Sequence, residues 1–240
     1  MSANIVVVSG SGRYSDPWHP FPVTSARVAD VLEQAGHRVA ISDDVDARLA
    51  ALSSDGDDVD LLVLNIGAGT TPEQRAVVQS DDEREALPLS DTDAATRAGL
   101  LAYLGRGRPL LALHVSSTSF GYMPEWESIL GGIWVRGTSM HPPYSLAHIE
   151  VATDAHPIVA GVHDFDVHDE RYSHLRVSPN VTELAWHDYE GERHPVIWAR
   201  ESGASRVVYD ALGHDAATYD SAEHRAILTR AADWLLREPA

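Results

Sequence analysis

The chain has 240 residues, 44% of them hydrophobic and 22% charged, and its 36 acidic side chains against 18 basic ones give a formal net charge of −18. These proportions suit a packed globular chain able to bury a sizeable core, and the negative surface would repel nucleic acid and anionic membranes, so neither is an expected partner. No cysteine and no lysine occurs, which excludes disulfides, thiolate nucleophiles, thiolate metal sites, Schiff-base chemistry and the phosphate-loop lysine.

The first four residues run into an apolar stretch that has no basic flank and is too short for a signal-peptide core, so a cytoplasmic location is expected. Residues 4–9 form a β-branched run, the pattern of a buried parallel strand. Residues 10–22, rich in Gly and Pro, are expected to be irregular. Val28, Val31, Leu32 and Ala35 keep helical spacing, with Thr24 or Ser25 as cap and Gly36 as stop. Residues 38–42 and 59–65 read as the second and third strands, the third ending in Gly67 and Gly69. Residues 91–105 carry Leu100, Leu101 and Leu104 on one helical face behind Ser90 as cap. Residues 109–114 form a fourth strand that breaks into the polar run 115–119, followed by a helical stretch near Trp126.

This alternation implies a parallel sheet with right-handed crossovers. The second half is less regular, with strands expected at 147–152, 181–186, 195–199 and 206–210. Ile227, Ala231, Trp234 and Leu235 form the buried stripe of a final helix. No linker or repeat interrupts the chain, so one domain over residues 1–240 is expected, with a homo-oligomer left open.

Thirteen histidines occur, and open α/β sheets bind ligands beyond the carboxyl ends of their strands. His114 ends the fourth strand at a tight polar turn containing Ser116, the place where nucleophile elbows present their reactive group. His214 follows Gly213 after the strand at 206–210, and the glycine permits a sharp turn. His141 lies in a loop without strand or helix period. His19, in the Pro-rich loop after the first strand, is a weaker member of this set. His37, His163, His174, His187 and His224 read as structural or exposed. Asp169 and Glu170 would face opposite ways on an extended backbone, and so would do different jobs. Other templates fail: Gly10 and Gly12 lack the third glycine of a dinucleotide loop, and neither His-Glu-x-x-His nor Gly-x-Ser-x-Gly is present.

The motifs taken in order resemble the ThuA-like (trehalose-utilisation) family. They comprise residues 111–114, the glycines before His141, His156 with Pro157 and Ile158, Asp169 and Glu170 with Tyr172, Pro195 with Trp198, and Gly203 through Tyr209 to His214. The resemblance implies a flavodoxin-like α/β fold similar to the class I glutamine amidotransferases, a parallel sheet flanked by helices with additional strands in the second half. Those enzymes carry a cysteine at the elbow. Here His114 takes that region, so glutamine hydrolysis through a thioester is excluded.

The family association is with trehalose-like disaccharides and keto-sugars. It implies a small-molecule sugar ligand. Together with the strand-end reading, it makes His114, His141, Glu170 and His214 the expected acid–base groups, with His19, Ser116, Asp169 and Tyr172 as expected ligand contacts. Trp18, Trp126 or Trp134 would supply an apolar platform. A divalent metal held by histidine and carboxylate is the main variant. A non-catalytic sugar-binding or regulatory protein and a metal-assisted hydrolase are the alternatives.

Overall fold

The computed structural model describes residues 2–54, 58–69 and 89–237. Strand β1 (Asn4–Ser9) leads to α1 (Phe21–Gln34), β2 (Arg38–Ser42), α2 (Val45–Ala51), β3 (Leu61–Asn65), α3 (Asp91–Gly105) and β4 (Leu110–Leu113). Then come α4 (Glu125–Leu130), β5 (Gly132–Ile133), β6 (Ser145–Val151), β7 (Phe165–Asp169) and β8 (Arg176–Val177). β9 (Thr182–Tyr189), β10 (Glu192–Ser202), β11 (Ser205–Asp210) and α5 (Ala222–Leu235) complete the order.

Among the described residues, nine strands share one sheet in the order β2-β1-β3-β4-β11-β10-β9-β6-β7, while β5 and β8 pair apart from it. The five strands from β2 to β11 are parallel. This explains their unbroken apolar runs: every residue of β3 and β4 is buried, as expected when helices cover both faces of a parallel sheet. The next four strands each run antiparallel to their neighbour. The later segments therefore extend the first sheet, and the buried apolar residues form one cluster. Two helix pairs, α1 with α5 and α2 with α3, pack over the sheet.

Four successive reversals turn β7 back into the direction of the parallel strands. Its carboxyl end thus points to the same edge as those of β1, β4 and β11. β6 makes the connection by dividing its pairing. Glu150 and Val151 pair with β9, whereas residues 145–149 pair with β7, so β6 departs from the sheet and lets β7 pack on the turn at 216–220.

Several local expectations need correction. α1 begins at Phe21, behind Pro20, so Thr24 and Ser25 are not caps. Both are buried inside the helix, and their hydroxyls accept from Asn65 Nδ2 at 2.8 and 2.9 Å. Residues 12–14, in the loop expected to be irregular, form a turn of 3₁₀ helix. α2 and β7 have no counterpart among the elements expected from the sequence. Ser90 does cap α3, in a reciprocal capping box with Asp93.

The α2–α3 contact depends on a glycine. A Cβ on Gly99 would run into the Leu49 carbonyl oxygen. Alanine normally favours a helix by about 1 kcal/mol over glycine, yet here the two helices must part. Gly99→Ala is expected to destabilise by about 1–3 kcal/mol, the range for overpacking. Thermal unfolding measures this, and an unchanged or raised Tm would refute the close crossing.

Candidate functional site

The loops beyond β1, β4, β7 and β11 meet at one edge of the sheet. His114 follows β4 directly and adopts φ 43°, a left-handed conformation costing a non-glycine residue roughly 1–2 kcal/mol. Two contacts with the β11 side hold it there. The Tyr209 hydroxyl donates to the His114 carbonyl at 2.7 Å, and His114 Nδ1 lies 2.6 Å from the Ala211 carbonyl. Because a carbonyl can only accept, Nδ1 carries the proton and Nε2 faces the site. The Tyr172 ring stacks on this imidazole with centroids 4.6 Å apart, and its hydroxyl stands 3.2 Å from Nε2.

His19 comes from the loop after β1. Asp16 fixes it by accepting from the backbone N–H groups of Trp18 and His19 while both its oxygens lie 2.8 Å from His19 Nδ1. Burial alone would lower the His19 pKa, but the bond to Asp16 and the nearby Glu170 carboxylate push it up to about 9. Sequence reasoning missed Asp16. Its signal was an Asp three residues before a His in a turn-rich loop, a spacing at which a carboxylate caps its own turn.

Glu170 begins where β7 ends, and four imidazoles surround its carboxylate. His214 Nδ1 lies at 3.3 Å, His114 Nε2 at 3.5 Å, His141 Nε2 at 3.6 Å and His19 Nε2 at 3.9 Å. Burial would raise its pKa, but His114, His19 and His214 hold the carboxyl far below the ordinary range. Glu170 is therefore an anion at neutral pH.

Asp169 faces the other way and is completely buried. It accepts from the backbone N–H of Glu170 at 2.7 Å, of Gly213 at 2.7 Å and of His214 at 3.2 Å, and from Thr218 Oγ1 at 2.8 Å. The expectation that Asp169 touches a ligand is thus corrected: it ties the end of β7 to the loop carrying His214. Gly213, at φ 117°, makes the sharp turn that this loop needs.

Ser116 is corrected likewise. It is fully buried, and its hydroxyl donates to the Leu64 carbonyl at 2.9 Å, which locks the elbow onto β3. Trp126 is also buried, with Nε1 donating to the Ser116 carbonyl at 3.0 Å, so it offers no platform. His187 and His224 are structural, as expected, and both lie within the interior.

A cleft of about 340 Å³ opens above the imidazoles. Trp18, Trp134 and Tyr172 give it aromatic walls, Val115 and Thr118 line it further, and His19, His141 and Glu170 supply its polar groups. His141 reaches it from the loop before β6, with Nδ1 3.0 Å from the Pro142 carbonyl. Four residues each offer one ligand atom within 4.8 Å of the others: His19, His114, Glu170 and His214. The arrangement has the groups to bind a cation or to exchange protons with a bound molecule.

A sequence profile described as ThuA, trehalose utilisation, matches residues 4–235. The chain belongs to the ThuA family. Two solved structures extend the ThuA likeness to the fold. A ThuA-like protein of Parabacteroides merdae is 17% identical with a TM-score of 0.73, covering 98% of this chain and 90% of that one. A ThuA-like protein of Bacteroides uniformis is 14% identical with a TM-score of 0.71, covering 97% and 91%. A GMP synthase component from Thermoplasma acidophilum, 15% identical over 98% and 96% of the two chains, has a TM-score of 0.50. The ThuA fold of this chain is accordingly of the glutamine amidotransferase kind, with an imidazole at the elbow and no thiol anywhere in the sequence. No curated protein matches the sequence. Among the described residues, no helix is long and apolar enough to cross a membrane.

Proposed function

We propose that this ThuA-family protein is an enzyme of disaccharide utilisation that binds a sugar or keto-sugar in the aromatic-walled cleft and moves a proton on it. The observation that carries this reading is the single carboxylate of Glu170, ringed by four imidazoles at the cleft floor. Imidazole and carboxylate groups suit sugar hydroxyls as partners, and the indoles of Trp18 and Trp134 offer flat apolar surfaces to a sugar ring. The volume of about 340 Å³ falls at the small end of ligand pockets, the size of a mono- or disaccharide. His141 is the proton-transfer group. It is the most exposed of the four imidazoles, while His19 and His114 have their second nitrogen tied to Asp16 and to the Ala211 carbonyl.

The test is turnover of a panel of disaccharides and their 3-keto derivatives. Wild type should convert at least one of them, and His141→Ala should lower kcat by about 10²–10⁴-fold, the usual worth of a positioned acid or base. Saturable binding with no turnover would instead make this a sugar-binding protein. Neither binding nor turnover across the panel would refute the sugar reading.

A further inference from the structure

We propose that His19, His114, Glu170 and His214 together bind one divalent first-row transition-metal ion, with His141 outside the coordination set. The proposal deepens the reading above, resting on the same site, and it starts from two unsatisfied atoms. His19 Nε2 and His214 Nδ1 are buried without any hydrogen-bond partner, a costly condition for polar groups. Both point at the Glu170 carboxylate, yet at 3.9 and 3.3 Å neither makes the 2.7–2.9 Å bond, on the order expected of a charge-assisted pair.

Those separations suit a different geometry. Metal–nitrogen and metal–oxygen bonds of about 2.0–2.2 Å place neighbouring ligand atoms of a tetrahedron about 3.3–3.6 Å apart. The observed separations from Glu170 begin in that range, and all four ligand atoms lie within 4.8 Å of one another. The site is spaced for a central ion more than for direct contact between its members.

The outer groups support this. A metal-bound histidine almost always donates its other ring N–H to a carboxylate or a backbone carbonyl, which fixes ring and tautomer. His19 Nδ1 faces Asp16 and His114 Nδ1 faces Ala211, leaving each Nε2 turned inward. His214 is held through its backbone, whose N–H donates to Asp169. Tyr172, with its hydroxyl 3.2 Å from His114 Nε2, is placed beside the ion and competes only through a long contact. Three imidazoles and one carboxylate suit zinc, iron, nickel or manganese, whereas magnesium and calcium prefer oxygen alone. His141 is excluded by position, its side chain being 37% exposed against 2–17% for the four ligands.

The test uses untagged full-length protein, stripped with chelator and titrated with Zn²⁺ and with Co²⁺. One ion should bind per chain, Co²⁺ should develop visible ligand-field bands, and Tm should rise on loading. His214→Ala and Glu170→Gln should abolish the bands, and His141→Ala should keep them. Asp16→Asn, a loop substitution that leaves every ligand in place, should weaken binding about 10–100-fold. A second group, His174, Glu192 and His194, also converges, so the titration is repeated with His174→Ala.

No stoichiometric binding would overturn the proposal, as would binding lost in His174→Ala but kept in His214→Ala, or unaffected by Asp16→Asn. Metal binding without sugar turnover removes the enzyme reading and leaves the metal site standing. Sugar turnover by a protein that binds neither Zn²⁺ nor Co²⁺ does the reverse.

Discussion

Replacing His224 with alanine will cost the fold about 3–5 kcal/mol, the usual penalty for stranding one member of a buried ion pair. The imidazole is fully buried. Its Nε2 lies 2.7 Å from Asp210 Oδ2 and its Nδ1 3.3 Å from the Thr218 carbonyl. Both neighbours are acceptors, so the geometry asks for a proton on each nitrogen. Burial would lower the His224 pKa, but Asp210 outweighs it and the net shift is upward. A raised histidine stabilises the fold fully below its ordinary value near 6.5, and that contribution is lost as pH rises through the folded value. The Tm gap between wild type and His224→Ala should be roughly 6–20 °C in mildly acidic buffer. It should narrow in alkaline buffer, and an equal gap at both ends would show that His224 is neutral. Asp210 also accepts from the Leu212 N–H at 2.9 Å, so the pair pins α5 to the loop that leads into the site.

Asp169→Ala should be the most damaging change at the site itself. It removes the acceptor of three backbone N–H groups and the nearer of two acceptors of the Thr218 hydroxyl, whose other partner is the His168 carbonyl at 3.3 Å. Unsatisfied buried donors cost about 1–3 kcal/mol each, so even with partial relaxation a loss of about 3 kcal/mol or more is expected. Because those donors belong to Glu170, Gly213, His214 and Thr218, the two chain segments should drift apart. A displacement of about 1 Å can cost 10²-fold in rate, so kcat should fall by about that factor or more while Tm falls as well. Asp169→Asn keeps the shape but turns an amide NH₂ toward N–H donors, and should lie between alanine and wild type. Normal Tm and normal turnover in Asp169→Ala would show that this carboxylate does not join the two segments.

Much of this architecture is legible without coordinates, and the illegible parts have identifiable causes. β1, β3 and β4 announce themselves because a doubly covered parallel strand must be apolar throughout. From them the strand-end rule reaches His114 and His214, and the structure does place both at one edge. β7 escapes the same reading. Phe165 and Val167 alternate with exposed residues, but the third inward position is Asp169, whose burial is stabilised by hydrogen bonds and carries no hydrophobic signal. Glu170 is consequently reached through resemblance more than through strand pattern. α2 is missed because its short apolar stripe, Val45 and Leu49, is too brief to show a period. Ser116 misleads for the opposite reason: a hydroxyl at an elbow looks available, yet it is consumed by a neighbouring strand's carbonyl.

The seam between β4 and β11 also bears on how the molecule comes together in time. Ala112 and Tyr209 are register partners although about two fifths of the chain lies between them. Closing so long a loop costs entropy before any contact repays it, and pairings of this kind slow folding. His114 and the loop carrying His214 stand on the two sides of that seam. During synthesis the amino-terminal strands can associate early, but the site cannot exist until the last strand and α5 have left the ribosome and docked. A chain interrupted anywhere before residue 205 therefore lacks this seam, and with it the neighbour that fixes His114 Nδ1 and the His214 that completes the imidazole ring around Glu170.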